Sequence, residues 1–126
     1  VVRRDGALGR CLGEGVLSDR FVGEHPDRAA RLERRIAATP RSRRSIVALG
    51  AAAVRHDARR ALRRIAAPTL VLSGELDPLI RPDAQRRQLA AIADVRFEVI
   101  AGAGHALDLE APAATAEQLL AFLAAA

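Results

Sequence analysis

The chain has 126 residues, enough for one domain, and half of them are apolar, which excludes a disordered polypeptide. All 20 basic residues are arginines, set against 15 acidic residues, and the single cysteine, Cys11, excludes an internal disulfide. No apolar run reaches the roughly 18 residues that a membrane span needs, and the amino terminus lacks the apolar core of a signal peptide. These features predict a cytoplasmic protein.

The charge is divided unevenly along the chain. Residues 1–64 contain 16 arginines and 7 acidic residues, whereas residues 65–126 contain 4 and 8, so the halves carry +9 and −4. Such asymmetry leaves open an alternative function, that of a non-catalytic basic helical module that binds nucleic acid or a protein partner. The arginines are interleaved with apolar residues at helical spacing, however, which makes nucleic-acid binding the weaker hypothesis.

The first half of the sequence predicts helices, at about residues 6–19, 27–38 and 43–64, with a break near Gly50 or His56. Pro26 suits the first turn of the second helix, and Pro40 ends it because proline cannot continue a helix. The apolar face of that helix is expected to contain Ala29, Leu32 and Ile36.

The second half predicts alternating strands and helices. An apolar run at residues 69–73, closed by Gly74, indicates a buried parallel strand, and residues 95–100 alternate well enough for a second strand. Helical spacing covers residues 83–93, and a last helix starts near Pro112 and continues to the end. This order implies a mostly parallel sheet. Two such strands alone would have exposed edges, so the fold is expected to be incomplete.

Two segments of the second half carry motifs at the ends of the predicted strands. The strand in IAAPTLVLSGELDP, residues 65–78, ends in Gly-x-x-Asp, and the segment VIAGAGH, residues 99–105, is followed by Glu110-Ala-Pro. Together they resemble the α/β-hydrolase superfamily, and in this resemblance Asp77 matches the acid of the catalytic triad and His105 matches its histidine. His105 follows Asp77 by 28 positions, and this interval holds one helix and one strand, as in the family. The implied fold class is α/β, with a helical cap followed by the last β-α-β-α of the hydrolase sheet.

Elementary chemistry supports these residue types at these positions. A carboxylate at the carboxyl end of a parallel strand lies where it can reach a histidine that follows the neighbouring strand. The acid accepts the imidazole N–H, fixes the tautomer and stabilises the imidazolium that forms when the other nitrogen takes a proton. Gly102 and Gly104 permit unusual backbone angles just before His105. Glu110 and Pro112 are expected to be structural, at the start of the last helix.

The helical half also resembles part of this superfamily. Residues 57–69 are similar to the cap exit of the 3-oxoadipate enol-lactonase group, so residues 1–64 are expected to form a cap-like region and residues 65–126 the carboxyl-terminal part of the core. The resemblance implies hydrolysis of an ester, a lactone or a similar acyl bond in a small molecule, without a cofactor. An arginine-rich cap would attract anionic acids, although a solvated helix face is the preferred interpretation.

The nucleophile that this chemistry needs is missing from the sequence. No GxSxG motif occurs, and the four serines, at positions 18, 42, 45 and 73, lack flanking glycines. Residues 9–13 have the GxCxG form used by dienelactone hydrolases, but no apolar strand precedes Cys11, which fits the apolar stripe of a helix better. A truncated, frame-disrupted or split enzyme is therefore expected, with an amino-terminal hydrolase half or self-association as the possible partner.

Metal chemistry has no support in the pattern of ligating residues. His25 precedes a proline and His56 lies in a polar helical stretch, so neither forms a ligand cluster with Cys11. The sequence predicts neither a metal site nor an organic cofactor.

Overall fold

The computed structural model describes residues 15–38 and 42–125. Their helices and strands are, in chain order, α1 (Asp19–Glu24), α2 (Pro26–Ala38), α3 (Arg43–Arg55), α4 (Arg59–Leu62), β1 (Thr69–Gly74), α5 (Pro82–Leu89), β2 (Val95–Ile100), α6 (Leu107–Glu110) and α7 (Pro112–Ala125). None of the helices within these ranges has the length and apolar character that a membrane crossing requires.

The helices of the first half confirm two predictions and correct a third. Helix α2 matches the predicted range to within one residue, and α3 ends at Arg55, which confirms the break near His56. The predicted helix ending at residue 19 is wrong at its described end, because residues 15–18 form a turn and α1 begins at Asp19. Ser18 caps α1, since its Oγ accepts the Phe21 N–H at 3.1 Å, and residues 6–14 lie outside the described residues.

The strands form the parallel pair that the apolar runs predict. β1 and β2 are hydrogen bonded in parallel from Thr69 opposite Val95 to Gly74 opposite Ile100, and α5 connects them. Helix α5 ends at Leu89, four residues earlier than predicted, although Ile92 beyond it is still buried. The parallel register brings the carboxyl ends of both strands to one edge of the sheet, where the loops that follow them can meet.

The buried core is small. One cluster joins α1 and α2 to α6 through Leu17, Phe21 and Ala29, with Leu32 and Leu109 packed against it. Many large apolar side chains elsewhere in the described residues are exposed: Val47, Leu49, Val54, Leu79, Leu119, Leu120 and Leu123 among them. A parallel pair of strands with this much exposed apolar surface is an incomplete α/β fold, in agreement with the incomplete sheet expected from the sequence.

Candidate active site

The structure brings Asp77 and His105 together at the carboxyl edge of the sheet. Asp77 lies three residues after β1 and His105 five residues after β2, and the Asp77 Oδ2 atom is 2.9 Å from the His105 Nδ1 atom. The Asp77 side chain is 2% exposed, whereas the His105 side chain is 39% exposed. A buried carboxylate thus holds one ring nitrogen of a histidine whose side chain is accessible to solvent.

Backbone hydrogen bonds fix the loop that carries Asp77. The Glu75 N–H donates to the Ile100 carbonyl at 3.0 Å and the Leu76 N–H to the Ala103 carbonyl at 2.8 Å, so the two strands stay paired past their ends. The second oxygen of Asp77, Oδ1, accepts the N–H groups of Leu79 and Ile80 at 2.8 and 2.9 Å. These two bonds leave Oδ2 as the oxygen that orients His105.

The surroundings of Asp77 keep it ionised. Burial is the largest single influence and pushes the pKa of Asp77 upward, because it penalises the charged form. The hydrogen bonds from the Ile80 N–H, from His105 and from the Leu79 N–H lower the pKa, and so does the charge of His105. Together they outweigh burial, so the pKa of Asp77 lies below its ordinary value. An ionised Asp77 accepts the Nδ1–H of His105, which leaves Nε2 as the basic nitrogen.

Close backbone packing shapes the loop before His105. Gly102 has a φ of +67°, as the expectation of unusual backbone angles requires, and its N–H donates to Glu75 Oε2 at 2.8 Å. Gly104 is needed for a different reason, because a Cβ there would lie 2.7 Å from Ser18 N and 2.4 Å from Glu110 Oε1. A Cβ at Gly74 would lie 2.0 Å from the Gly104 carbonyl oxygen, so only glycines let the strand end and the histidine loop approach this closely.

Glu110 lies at the end of one helix and not, as expected, at the start of the last one. Pro112 begins α7, as predicted, but Glu110 ends the short helix α6, and its carboxylate binds back toward the histidine loop. Oε2 accepts the Gly104 N–H at 2.8 Å and the Ser18 hydroxyl, while Oε1 accepts the Ser18 N–H at 3.1 Å. The helix end that Glu110 supports is therefore that of α1, 92 positions away in sequence. In the sequence, only the Ser18-Asp19 pair, a common helix-start signal, indicated that a helix begins here.

The described serines are poorly placed to act as nucleophiles. Ser73 lies inside β1 at 1% exposure, and its hydroxyl has no hydrogen-bond partner in the described part of the chain. Ser18 is buried and engaged with Glu110 and Phe21, and Ser42 and Ser45 bond to each other on an exposed helix end. Cys11 and its GxCxG segment lie outside the described residues.

One cavity includes a residue of the candidate site, and a second lies between helices. One of about 470 Å³ is lined by Asp77 together with Arg81 and Asp83. The other, of about 310 Å³, lies between α1, α2 and α6, with apolar side chains such as Phe21 and three arginines of α2 in its lining. One of these arginines, Arg28, donates to the Leu109 carbonyl at 2.8 Å and lies over the Phe21 ring, so it is not a purely solvated charge. Across residues 15–38 and 42–125, no group of three or more potential ligands could hold a metal ion.

Comparison with known proteins identifies the family of the chain. The family model described as the Alpha/beta hydrolase family matches residues 3–118. No curated protein matches the chain.

Several solved structures share the fold. A thermophilic esterase from Thermogutta terrifontis is 27% identical, with a TM-score of 0.82, over 97% of this chain and 45% of that one. Est816, described as an N-acyl homoserine lactone degrading enzyme, is 27% identical, with a TM-score of 0.71, over 94% of this chain and 47% of its own. An esterase from Exiguobacterium antarcticum is 21% identical, with a TM-score of 0.77, over 95% of this chain and 43% of that one. The chain spans less than half the length of each of these enzymes.

Proposed function

Since the chain belongs to the α/β-hydrolase family, we propose that it supplies the acid and the base of a Ser-His-Asp triad that hydrolyses an ester or a lactone in a small molecule. The observation that carries this proposal is the 2.9 Å contact between Asp77 Oδ2 and His105 Nδ1 at the carboxyl edge of a parallel sheet. The serine is contributed by polypeptide outside these 126 residues, which contain no GxSxG motif.

The proposed mechanism assigns one task to each residue. Asp77 orients the ring by accepting the Nδ1–H, and the Nε2 atom of His105 then takes the proton of the serine hydroxyl as that oxygen attacks the acyl carbon. His105 next returns the proton to the departing alcohol, which leaves an acyl-serine. A water molecule that loses its proton to His105 attacks the acyl carbon, and the proton passes to the serine as the acid is released.

Two further assignments accompany this proposal. Residues 1–64 act as a cap over the site, which is supported by the contact of α1 and α2 with the helix that follows His105. The ester or lactone class of substrate is supported by the similarity to an esterase and to a lactone-degrading enzyme, each 27% identical to this chain. An enol-lactone is one member of that class and follows only from the sequence resemblance of residues 57–69.

The proposal is tested by adding the missing half. The 126-residue chain is co-expressed with an α/β-hydrolase amino-terminal half that carries the GxSxG serine, and hydrolysis of p-nitrophenyl butyrate and of a γ-lactone is measured. Activity that requires both halves is expected, and His105→Ala should lower kcat about 10⁴-fold or more because it removes the base. His56→Ala is the matched control, since His56 is exposed at the end of α3 and should leave the rate unchanged.

Two results would contradict the proposal. A purified complex of both halves that hydrolyses the ester at the same rate with and without the histidine ring would refute the assignment of His105. A stable complex with an intact serine elbow and no hydrolysis of either substrate class would refute the acyl-hydrolase proposal.

A further inference from the structure

The histidine lies on a short segment that is closed at both ends. Gly104 directly precedes His105, and its N–H donates to Glu110 at the end of α6, six residues further on. The bond closes residues 104–110 into a ring that consists of the histidine and one turn of helix. A shift of Glu110 therefore also displaces the backbone of His105.

The same carboxylate fastens this ring to α1. Ser18, the residue that caps α1, gives both its N–H and its hydroxyl to Glu110. Ser18 and Gly104 are both buried, and a Cβ on Gly104 would overlap Ser18 N, so the two backbones are packed with no space for a water molecule at that point. Glu110 thus satisfies three donors from two segments that are far apart in sequence.

A second set of contacts joins the same two regions. The Arg28 Nη2 atom of α2 donates to the Leu109 carbonyl at 2.8 Å, and Leu109 and Ala106 pack against the cluster around Phe21. Arg20 of α1 also lies against Gly102, since a Cβ on that glycine would be 2.1 Å from the arginine Nη1 atom. The helices before residue 39 and the loop that carries His105 consequently form one packed unit.

We infer that Glu110 is a positioning residue that couples α1 to the histidine loop and so sets the placement of the His105 ring against Asp77. This inference rests on the proposed function and adds a residue to it. Its consequence is that a movement of α1, which belongs to the proposed cap, also displaces the base of the triad. The cap position and the catalytic geometry are then linked through one carboxylate.

The chemistry of the position requires an anion with two oxygens. Three donors point at Glu110, and a carboxylate can accept all three, whereas the amide of glutamine has one acceptor oxygen and would direct its own N–H groups at a backbone donor. Glu110→Gln is therefore nearly the same size as the parent but leaves a buried N–H unpaired. Shortening to aspartate keeps the charge and loses the reach.

The experiment uses the 126-residue chain labelled with ¹⁵N, in the assembly state that it adopts, and NMR follows two signals. The first is the exchange rate with deuterated solvent of the two backbone amides that donate to Glu110, those of Gly104 and residue 18, and the second is the His105 Nδ1 proton together with its exchange with water. In Glu110→Gln we expect whichever of the two amides faces the new NH₂ group to exchange at least about tenfold faster, as loss of a hydrogen bond to a charged group implies. We also expect the Nδ1 proton to exchange faster by a similar factor. Ser18→Ala removes the hydroxyl bond to Glu110 and the cap bond to the Phe21 N–H but keeps the backbone N–H bond to Glu110, so it should show a smaller change in the same direction.

Controls and outcomes separate this inference from the proposed function. Glu117→Gln removes the same charge from an exposed position of α7 and should change neither signal. If the parent chain has no Nδ1 proton bonded to Asp77, the proposed triad fails. If that proton is present and both variants leave its exchange unchanged while the amide of Gly104 or residue 18 exchanges faster, Glu110 is merely structural and the inference is overturned. Should Glu110→Gln fail to fold, Ser18→Ala decides by the same criterion.

Discussion

Replacing Asp77 with asparagine separates the two tasks of this carboxylate. Its Oδ1 atom accepts the Leu79 and Ile80 N–H groups, which an asparagine oxygen can still do. The atom that replaces Oδ2 then becomes an NH₂ group 2.9 Å from His105 Nδ1, where it can only donate. The ring proton must move to Nε2, so the nitrogen that should accept the serine proton is already protonated.

The structure sets different magnitudes for the fold and for the chemistry. Since two of the three hydrogen bonds of Asp77 persist and the third reverses its direction, Asp77→Asn should cost only about 1 kcal/mol of unfolding free energy. The wrong tautomer is far more damaging, because the same change in a Ser-His-Asp triad lowers kcat about 10⁴-fold, which corresponds to about 5 kcal/mol of activation free energy. The variant should thus be folded and nearly inactive.

Two measurements test this separation. Long-range ¹H–¹⁵N NMR of the chain identifies the His105 tautomer, and kcat is measured in the complex with a serine-bearing half. Asp83→Asn is the control, because it removes a charge from the lining of the same cavity without a contact to His105. An Nδ1-protonated His105 in the Asp77 variant, or a kcat within tenfold of the parent, would contradict the orienting task of Asp77.

Four further results are expected. The 126-residue chain alone should hydrolyse p-nitrophenyl esters no faster than buffer, and activity lost on Cys11→Ala in a folded chain would instead favour the GxCxG nucleophile. The folded form of Asp77 has the lower pKa, so its stabilisation is complete above about pH 4 and is lost as the pH falls through that lowered value; the difference in urea midpoint between the parent and Asp77→Asn should shrink in acid. Gly74→Ala should destabilise the chain by at least about 2 kcal/mol in urea unfolding because of the clash with a carbonyl, whereas Gly50→Ala, with open space around it, should be neutral or stabilising. Size-exclusion chromatography should show dimers or aggregates, since the sheet edges and much apolar surface are exposed; a compact monomer with a sharp thermal transition would disprove this.

The sequence predicted those features that depend on local patterns. The strands could be found because their apolar runs are short, continuous and bounded by glycine, and the parallel order followed from the helix between them. Asp77 and His105 could be found because each stands at a fixed distance after a strand within a motif. In both cases the sequence pattern lies within a few residues of the structural feature that it predicts.

Features that depend on distant contacts could not be found in this way. The apolar stripe before residue 17 suggested a helix through Asp19, but Ser18 caps a new helix there because Glu110 satisfies its N–H and its hydroxyl. Helix α6 has only four residues, too few for a period of 3.6 to appear. Helix α5 ends at Leu89, and Ile92 is buried beyond that end, where the helical spacing had predicted a continued helix.

Contacts within the βαβ unit bring Asp77 and His105 together, and the inferred link through Glu110 adds to them. The bonds from Glu75 to Ile100 and from Leu76 to Ala103, and the bond from Gly102 to the Glu75 carboxylate, all lie between residues 74 and 104. A βαβ unit thus brings the two side chains together without help from further strands, while the apolar surface around it still needs partners. The Asp77–His105 pair can therefore be complete in a chain that spans less than half of a hydrolase, and a nucleophile added from outside would meet a base that is already oriented.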